Sequence, residues 1–282
     1  MNNEITIVLI SHKSKNLIIN FVKNIYKKFN IIVIDNSNDV NLQKEIKKNY
    51  PNIIIKLIVN NGYGSSINYA SKLIKTKYFL ISNPDVEGIN EKNIQKFLSA
   101  ASKLDDNFSS LGPRYLNINS KSHVQSDINE KISEMKFISG ACMFFKKKNF
   151  DLIGGFDENF FLYFEESDFC LRAHKKKKNY QLNEILINHK IGTSVTIKNY
   201  KERKELENLY TWHFIWSKFY YYKKHYSYMI ALLYFIPIII RIIFRIIFFS
   251  YKGNKENTKK YKVRLEGLMT SIKCKKSDKR LN

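Results

Sequence analysis

ITIVLISHKSKNLIINFVKNIYKKFNIIVIDN, residues 5–36, opens the chain with two apolar runs and a periodic segment between them. ITIVLI (5–10) and IIVI (31–34) are short and rich in β-branched residues. Between them Leu17, Ile18, Phe21, Val22 and Ile25 recur at helical spacing. Continuous rather than alternating apolar strands belong to a parallel sheet covered on both faces. Strand, helix, strand therefore predicts an α/β fold. The pattern continues with a helix over 41–49, a strand over 53–59, a helix over 65–76 and a strand over 78–82. In open sheets of this kind, ligands bind beyond the carboxyl ends of the strands. Those ends carry Ser11, Asp35-Asn36, Asn61-Gly62-Tyr63-Gly64 and Asn83-Pro84-Asp85.

Each end has chemistry and a plainer alternative. Asp35 suits a base N–H or a ribose hydroxyl, or else closes a turn. NNGYG runs straight into a helix, so its backbone N–H groups can approach a phosphate or a sugar. It has neither GxGxxG spacing nor a P-loop lysine, so neither of those sites is supported. Asp85 is suited to be a single carboxylate ligand for Mg2+ or Mn2+ bridging substrate phosphates. FISGACMFF (137–145) reads as a buried strand broken at Gly140-Ala141, where a missing side chain admits a ligand or marks a bulge. LGPRY (111–115) reads as a strand end and a turn, inside a polar section, 100–136, with no clear pattern. His189, at the end of ILIN and before Gly-Thr-Ser, suits a metal or a phosphate, or is structural.

GGFDENFFLYFEESDFCLR, residues 154–172, gathers five carboxylates in a chain of formal net charge +23. Carboxylates set among aromatic residues are costly to desolvate, which points to a metal, a cationic partner or proton transfer. Glu165, Glu166 and Asp168 open a helix, and Arg172 follows Asp168 at i,i+4. A well-capped helix start is the alternative.

At 282 residues, with 44% hydrophobic composition, the chain holds one domain of about 200 residues and an appendage. The 48 Lys and Arg against 25 acids imply a polyanionic partner: nucleic acid, an anionic membrane or a phosphorylated substrate. The odd set Cys142, Cys170 and Cys274 reads as free thiols in a reducing compartment. MNNEITIVLISHK is too short an apolar run for a cleavable signal and reads as a first strand. After an aromatic helical segment, residues 229–249 are long enough to span a bilayer, interrupted by Pro237, Arg241 and Arg245. Two central arginines cost about 2.5–3.5 kcal/mol each on insertion. That favours a helix lying in the interface, or a re-entrant pair hinged at Pro237, over clean spanning. A buried core pair is the alternative. Residues 252–282 hold eleven Lys and Arg against three acids, as an anchor to anionic lipid would. The expected domains are thus 1–200, 201–251 and 252–282. The densest basic run lies beside an apolar helix while acids cluster at strand ends, which favours a membrane over a nucleic acid.

Taken together, IDNSND, NNGYGSSIN, ISNPDVE, SGACMFF, GGFDENFFLYFEESDFCLR and HKIGTS, in that order across about residues 4–195, resemble the family 2 glycosyltransferases. The subgroup most similar is the rhamnosyltransferase type of bacterial surface-polysaccharide (lipopolysaccharide) synthesis. The resemblance implies a GT-A (nucleotide-diphospho-sugar transferase) fold: a Rossmann-like mixed α/β sheet flanked by helices, plus C-terminal membrane-associated helices. It implies inverting transfer of a sugar, rhamnose by subgroup likeness, from a dTDP-, UDP- or GDP-linked donor to a saccharide acceptor on a polyprenyl diphosphate. The enzyme would sit on the cytoplasmic face of the plasma membrane. By position, Ser11, Asp35 and Asn36 would contact the nucleotide; Asn61, Gly62, Gly64, Asn68 and Asn83 would line the donor pocket with Arg172; Gly140 and Ala141 would make room for the sugar. Asp85 and His189 would serve an Mg2+ or Mn2+ ion. The catalytic base is expected at Glu166, with Glu165 and Asp168 as alternatives, because the family usually reads Glu-Asp-x-Asp where this chain has Glu-Glu-Ser-Asp. Asn83 also replaces the first acid of the family's DxD. These departures leave a catalytically degenerate membrane-associated subunit as a rival reading, beside a basic nucleic-acid-binding protein.

Overall fold

Nine strands and nine helices are found among the described residues, which are 2–116, 125–190, 192–195, 197 and 199–280 of a computed structural model. Ile191 of the HKIGTS motif and positions 117–124 of the polar middle section lie outside them. The chain divides into two units, residues 1–157 with 166–196, and residues 158–165 with 197–282. Eight residues from the middle of the chain, 158–165, belong with the C-terminal unit.

In the first unit the opening run forms β1 (Asn2–Ser11), α1 (Lys15–Ile25) and β2 (Phe29–Asp35). The chain continues through α2 (Val40–Asn49), β3 (Ile54–Leu57), α3 (Tyr63–Ser71), β4 (Tyr78–Ser82), β5 (Val86–Glu87) and α4 (Glu91–Lys103). Then come β6 (Ser110–Tyr115), β7 (Ile132–Met135), β8 (Cys142–Lys146), α5 (Lys147–Ile153), α6 (Glu165–His174) and β9 (Asn179–His189). The strand order is β3-β2-β1-β4-β8-β6-β9-β5, with β7 also on β9. β1, β2, β3 and β4 are parallel, β8 is antiparallel to β4, and β9 is parallel to β6. The sheet is thus mixed, as expected.

Period-two alternation sorts each strand's side chains into two cores. Ile5, Ile7 and Leu9 face α1, α2 and α4 with Phe97 and Phe144. Val8, Ile10, Phe79 and Phe145 face α3, α5 and α6 with Phe150 and Phe169. Burial on both faces is why these strands read as unbroken apolar runs. Burial also pushes the Cys170 thiol up to about 12, and all three cysteines are unpaired.

Two sequence expectations are corrected here. LGPRY is not a strand end and turn but most of β6, and its register against β9 shifts between Pro113 and Arg114. Proline has no N–H to give to a ladder, so a bulge accommodates it. In FISGACMFF only Cys142 onward is strand, and Phe137–Ala141 is the approach to it.

The second unit contains α7 (Tyr200–Tyr226), α8 (Tyr228–Tyr251) and α9 (Lys255–Ile272). α8 is one continuous helix through Pro237 and not a hinged pair. It is long and apolar enough to cross a membrane, and most of it is exposed: Leu233, Ile240, Phe244 and Ile247 are each 63% accessible. The buried-core alternative therefore fails. Residues 255–272 of the presumed basic tail are helical, and α9 packs on α7. That packing is close because Gly267 lies under Trp212: a Cβ there would sit 2.6 Å from the Trp212 carbonyl oxygen and 3.1 Å from Ile215 Cγ2. Backbone cannot yield as a side-chain tip can, so Gly267→Ala is expected to cost about 1–3 kcal/mol, read as a lower melting temperature.

Candidate functional site

Strand directions bring the polar ends to one edge. β1, β2, β3, β4, β6 and β9 finish there, and β8, running the other way, begins there. Ser82 stands opposite Cys142, and just beyond that pair the Asn83 N–H donates to the Ala141 carbonyl at 2.8 Å. The Asn83-Pro84-Asp85 turn is therefore held beside Gly140-Ala141.

Asp85 is 3% exposed, and neither of its carboxylate oxygens has a hydrogen bond among the described residues. The pairing of Val86 with His189 in β5 and β9 brings the His189 ring alongside. Its Nε2 lies 3.3 Å from Asp85 Oδ1, within ion-pair reach but outside hydrogen-bond alignment. A buried carboxylate without donors is costly unless a cation or ligand compensates it. No group of three or more His, Cys, Asp and Glu suited to a metal occurs among the described residues. The donor set is thus one carboxylate and one imidazole, which fits a cation that completes its shell from substrate oxygens and water. Tyr115, which the sequence reading passed over, packs its ring 6.2 Å from that of His189. Burial, with the nearby Cys142 and Asp85, raises the Tyr115 phenol, so it stays protonated beside the carboxylate.

On the other side of Gly140 stands Glu166. A Cβ on Gly140 would touch Glu166 Cβ at 3.4 Å and Oε2 at 3.8 Å, so the absent side chain is what leaves space in front of this carboxyl. Glu166 is half-buried, and desolvation pushes its carboxyl above the usual carboxylate range, against the pull of a 3.0 Å hydrogen bond from Ser167 Oγ. The Gly140 carbonyl accepts from Tyr63 Oη at 2.9 Å, tying this strand entry to the start of α3. Tyr63 lies in the Asn61-Gly62-Tyr63-Gly64 strand end, where the sequence assigned roles to its neighbours and none to it. Gly62 precedes α3 with φ 105°, a conformation that favours glycine, and has no side chain of its own to cap the helix.

Other expected site residues have different work. Asp168 is fully buried and binds Arg172 Nε at 2.8 Å. Arg172 in turn donates to the carbonyls of Ile153 at 2.8 Å and Gly155 at 2.7 Å. Asn68 spans the Phe156 backbone, donating to its carbonyl at 2.8 Å and accepting from its N–H at 3.0 Å. Asp168, Arg172 and Asn68 therefore clamp the Gly154-Gly155 turn, where φ is 91° and 64°, and are corrected from catalytic and donor-binding roles to a structural one. Asp35 is likewise spent: it accepts from the Ser37 N–H at 3.0 Å and the Asp39 N–H at 2.9 Å, fully buried. Ser11 is also fully buried, and its carbonyl accepts from the Asn36 N–H at 3.0 Å. What reaches solvent from this side is Asn36, bonded to His12 Nδ1 at 2.8 Å, and the exposed Asn61. Glu165 is buried and belongs with the second unit's segment near Tyr163. The residues brought together around the sheet edge are thus Asn83, Asp85, His189, Gly140, Ala141 and Glu166.

Three comparisons bear on this arrangement. The family model described as Glycosyl transferase family 2 matches residues 6–165. A low-salt glycan biosynthesis hexosyltransferase, Agl10 of Haloferax volcanii, is 25% identical over 201 residues, covering 64% of each chain. The solved structure of S. aureus TarS 1-349 with UDP-GlcNAc matches 96% of this chain and 92% of that one, at TM-score 0.56 and 14% identity. GalNAc-T7 with UDP, GalNAc and Mn2+ matches 78% of this chain and 49% of that one, at TM-score 0.55 and 12% identity. The chain spans only 64% of the hexosyltransferase and less than half of GalNAc-T7. At these identities the structural likeness carries the fold, a mixed sheet with flanking helices of GT-A type.

Asp168→Asn is expected to lower stability by about 2–4 kcal/mol, because Arg172 loses its buried partner. The lower end is favoured, since Arg172 keeps 25% of its side chain in solvent. Chemical denaturation measures it; a variant of unchanged stability refutes the clamp.

Proposed function

The chain belongs to glycosyl transferase family 2, and from that membership we propose that it moves a hexose from a nucleoside diphosphate to an acceptor hydroxyl with inversion. The observation that carries the proposal is Asp85, a buried carboxylate with no hydrogen bond to either oxygen among the described residues, beside His189 and next to the turn that meets Ala141. Asp85 and His189 would hold Mg2+ or Mn2+, and such an ion offsets the charge on a departing diphosphate. Asn83 in place of an acid keeps the protein's own negative charge low where a diphosphate must bind.

Glu166 is the proposed general base. A hydroxyl is a weak nucleophile at neutral pH, and a positioned carboxylate that takes its proton during attack raises the rate by about 10²–10⁴-fold. Desolvation lifts the Glu166 carboxyl toward the working pH, the direction that strengthens a base. The space left by Gly140 admits the acceptor between this carboxyl and the anomeric carbon. Asn36, Asn61 and the glycine-led start of α3 are the groups offered to the nucleotide and sugar. UDP is favoured as the nucleotide because UDP-GlcNAc is bound in the TarS relative; dTDP and GDP, and rhamnose as the sugar, follow only from subgroup likeness. An acceptor on a polyprenyl diphosphate suits a chain whose α8 exposes an apolar face, with a basic α9 to meet an anionic bilayer on its cytoplasmic side.

Glu166→Gln is expected to keep donor affinity, measured by calorimetry, within about twofold while transfer falls at least 10²-fold. In the wild-type enzyme, activity should be lost as pH falls through a midpoint above the ordinary carboxylate range, because the base must be ionised. Full activity of the variant would move the base elsewhere. Independently, replacing Leu233, Ile240, Phe244 and Ile247 with serine should release the protein from sedimenting liposomes while leaving its helical content intact. Continued sedimentation would reject α8 as the membrane element.

A further inference from the structure

The second unit contains residues 158–165 as well as the three C-terminal helices, and this segment leads directly into Glu166. α7 grips it residue by residue. Phe160 meets the Tyr220 ring edge-on at 4.9 Å, and Phe161 lies 4.5 Å from His213. The Leu162 carbonyl accepts from Ser217 Oγ at 2.8 Å. Tyr163 and Phe164 both pack against Phe214, at 5.5 and 5.6 Å. The grip holds an unfavourable backbone: Tyr163 and Phe164 have φ of 69° and 70°, consecutive left-handed residues with bulky side chains. Each costs on the order of 1–2 kcal/mol and persists only where the surroundings over-determine it.

The residues after α9 return to the same place. Trp216 Nε1 donates to the Lys275 carbonyl at 3.1 Å. His213, fully buried, makes two further bonds to this return, at 2.8 Å to Ser277 Oγ and 2.9 Å to the Lys279 carbonyl. A carbonyl only accepts, so His213 Nε2 carries the proton; burial lowers its pKa to about 4, which keeps the ring neutral and leaves Nδ1 to accept from Ser277. The next residue, Arg280, sets its guanidinium 3.7 Å from the centroid of Phe161. A cation that close over an aromatic face is attracted by the ring, by about 0.5–1 kcal/mol at an exposed residue such as Arg280.

We propose that Arg280 is a positioning residue for transfer: stacked on Phe161, it closes the chain's return over residues 158–165 and fixes the backbone that delivers Glu166. The proposal rests on the reading of Glu166 as the base. Neither Arg280 nor the return touches substrate in this scheme; both act through the segment. A basic C-terminal sequence thereby gains a task separate from any contact with lipid.

The test uses the full chain, comparing wild type with Arg280→Ala, Arg280→Lys and Ser217→Ala. Arg280→Ala should lower kcat by about 10- to 100-fold, the effect of displacing a catalytic group by a fraction of an ångström to an ångström. KM for the donor, liposome sedimentation and the melting temperature should stay close to wild type. Arg280→Lys keeps a cation over Phe161 and should recover most of kcat, whereas Ser217→Ala should reproduce the kcat-only loss. Brief chymotrypsin digestion should cut Arg280→Ala faster than wild type between Phe160 and Phe164, a readout that needs no activity. Unchanged kcat together with unchanged cleavage overturns the proposal, as does a loss that tracks melting temperature and is not restored by lysine. A wild-type protein that transfers nothing from any donor defeats the functional reading instead, and the cleavage pattern then still decides whether Arg280 holds the segment.

Discussion

Where β4 ends, Ser82 faces Cys142 across an antiparallel pair, and the Asn83 N–H reaches the Ala141 carbonyl. Nearly everything of chemical interest in the first unit follows from that join. A strand entering against the direction of its neighbour puts its own beginning at the edge where the others finish. Gly140 and Ala141 consequently arrive between Asp85 on one side and Glu166 on the other. Were β8 parallel to β4, its start would lie at the opposite edge of the sheet, away from both acids. The antiparallel step also places the stacked Phe79 and Phe145 in register, so the core helps to hold the alignment that the site requires.

Within the acidic stretch, environment divides the work among chemically similar groups. Asp168 is sealed beneath Arg172 and spends its charge on a turn with two glycines in positive φ. Glu166, two residues earlier, is raised by desolvation. A carboxyl pushed toward neutrality is a better proton acceptor than an ordinary carboxylate. The extra methylene that Glu166 carries relative to aspartate is accommodated next to the bare Cα of Gly140.

The fold was legible in the sequence because strands buried on both faces leave a pattern that needs no partner to be recognised. The polar strand ends were legible too, and Asp85, His189, Gly140 and Glu166 lie around one edge of the sheet. What the sequence concealed were partners made of backbone. Asn68 and Arg172 look like ligand-binding residues until their hydrogen bonds are found on the carbonyls of Phe156, Ile153 and Gly155. Asp35 deceives in the same way through the N–H groups of Ser37 and Asp39. Tyr63 and Tyr115 stood inside named stretches without a role, since a single aromatic residue has no periodicity to reveal one, and LGPRY misled because proline within a strand resembles a turn. The left-handed pair Tyr163-Phe164 was illegible for a deeper reason: neither residue prefers that conformation, and only the contacts of α7 impose it.

The chain passes between its two units three times, at 157/158, 165/166 and 196/197. A domain joined by one linker can be exchanged between relatives as a cassette, but this one cannot. A chimaera spliced at 196/197 would inherit a helical bundle from one parent and the eight residues meant to fit it from the other. Compatible hybrids must carry 158–165 along with the C-terminal third, so in descent those two distant pieces of text should travel as a single heritable package.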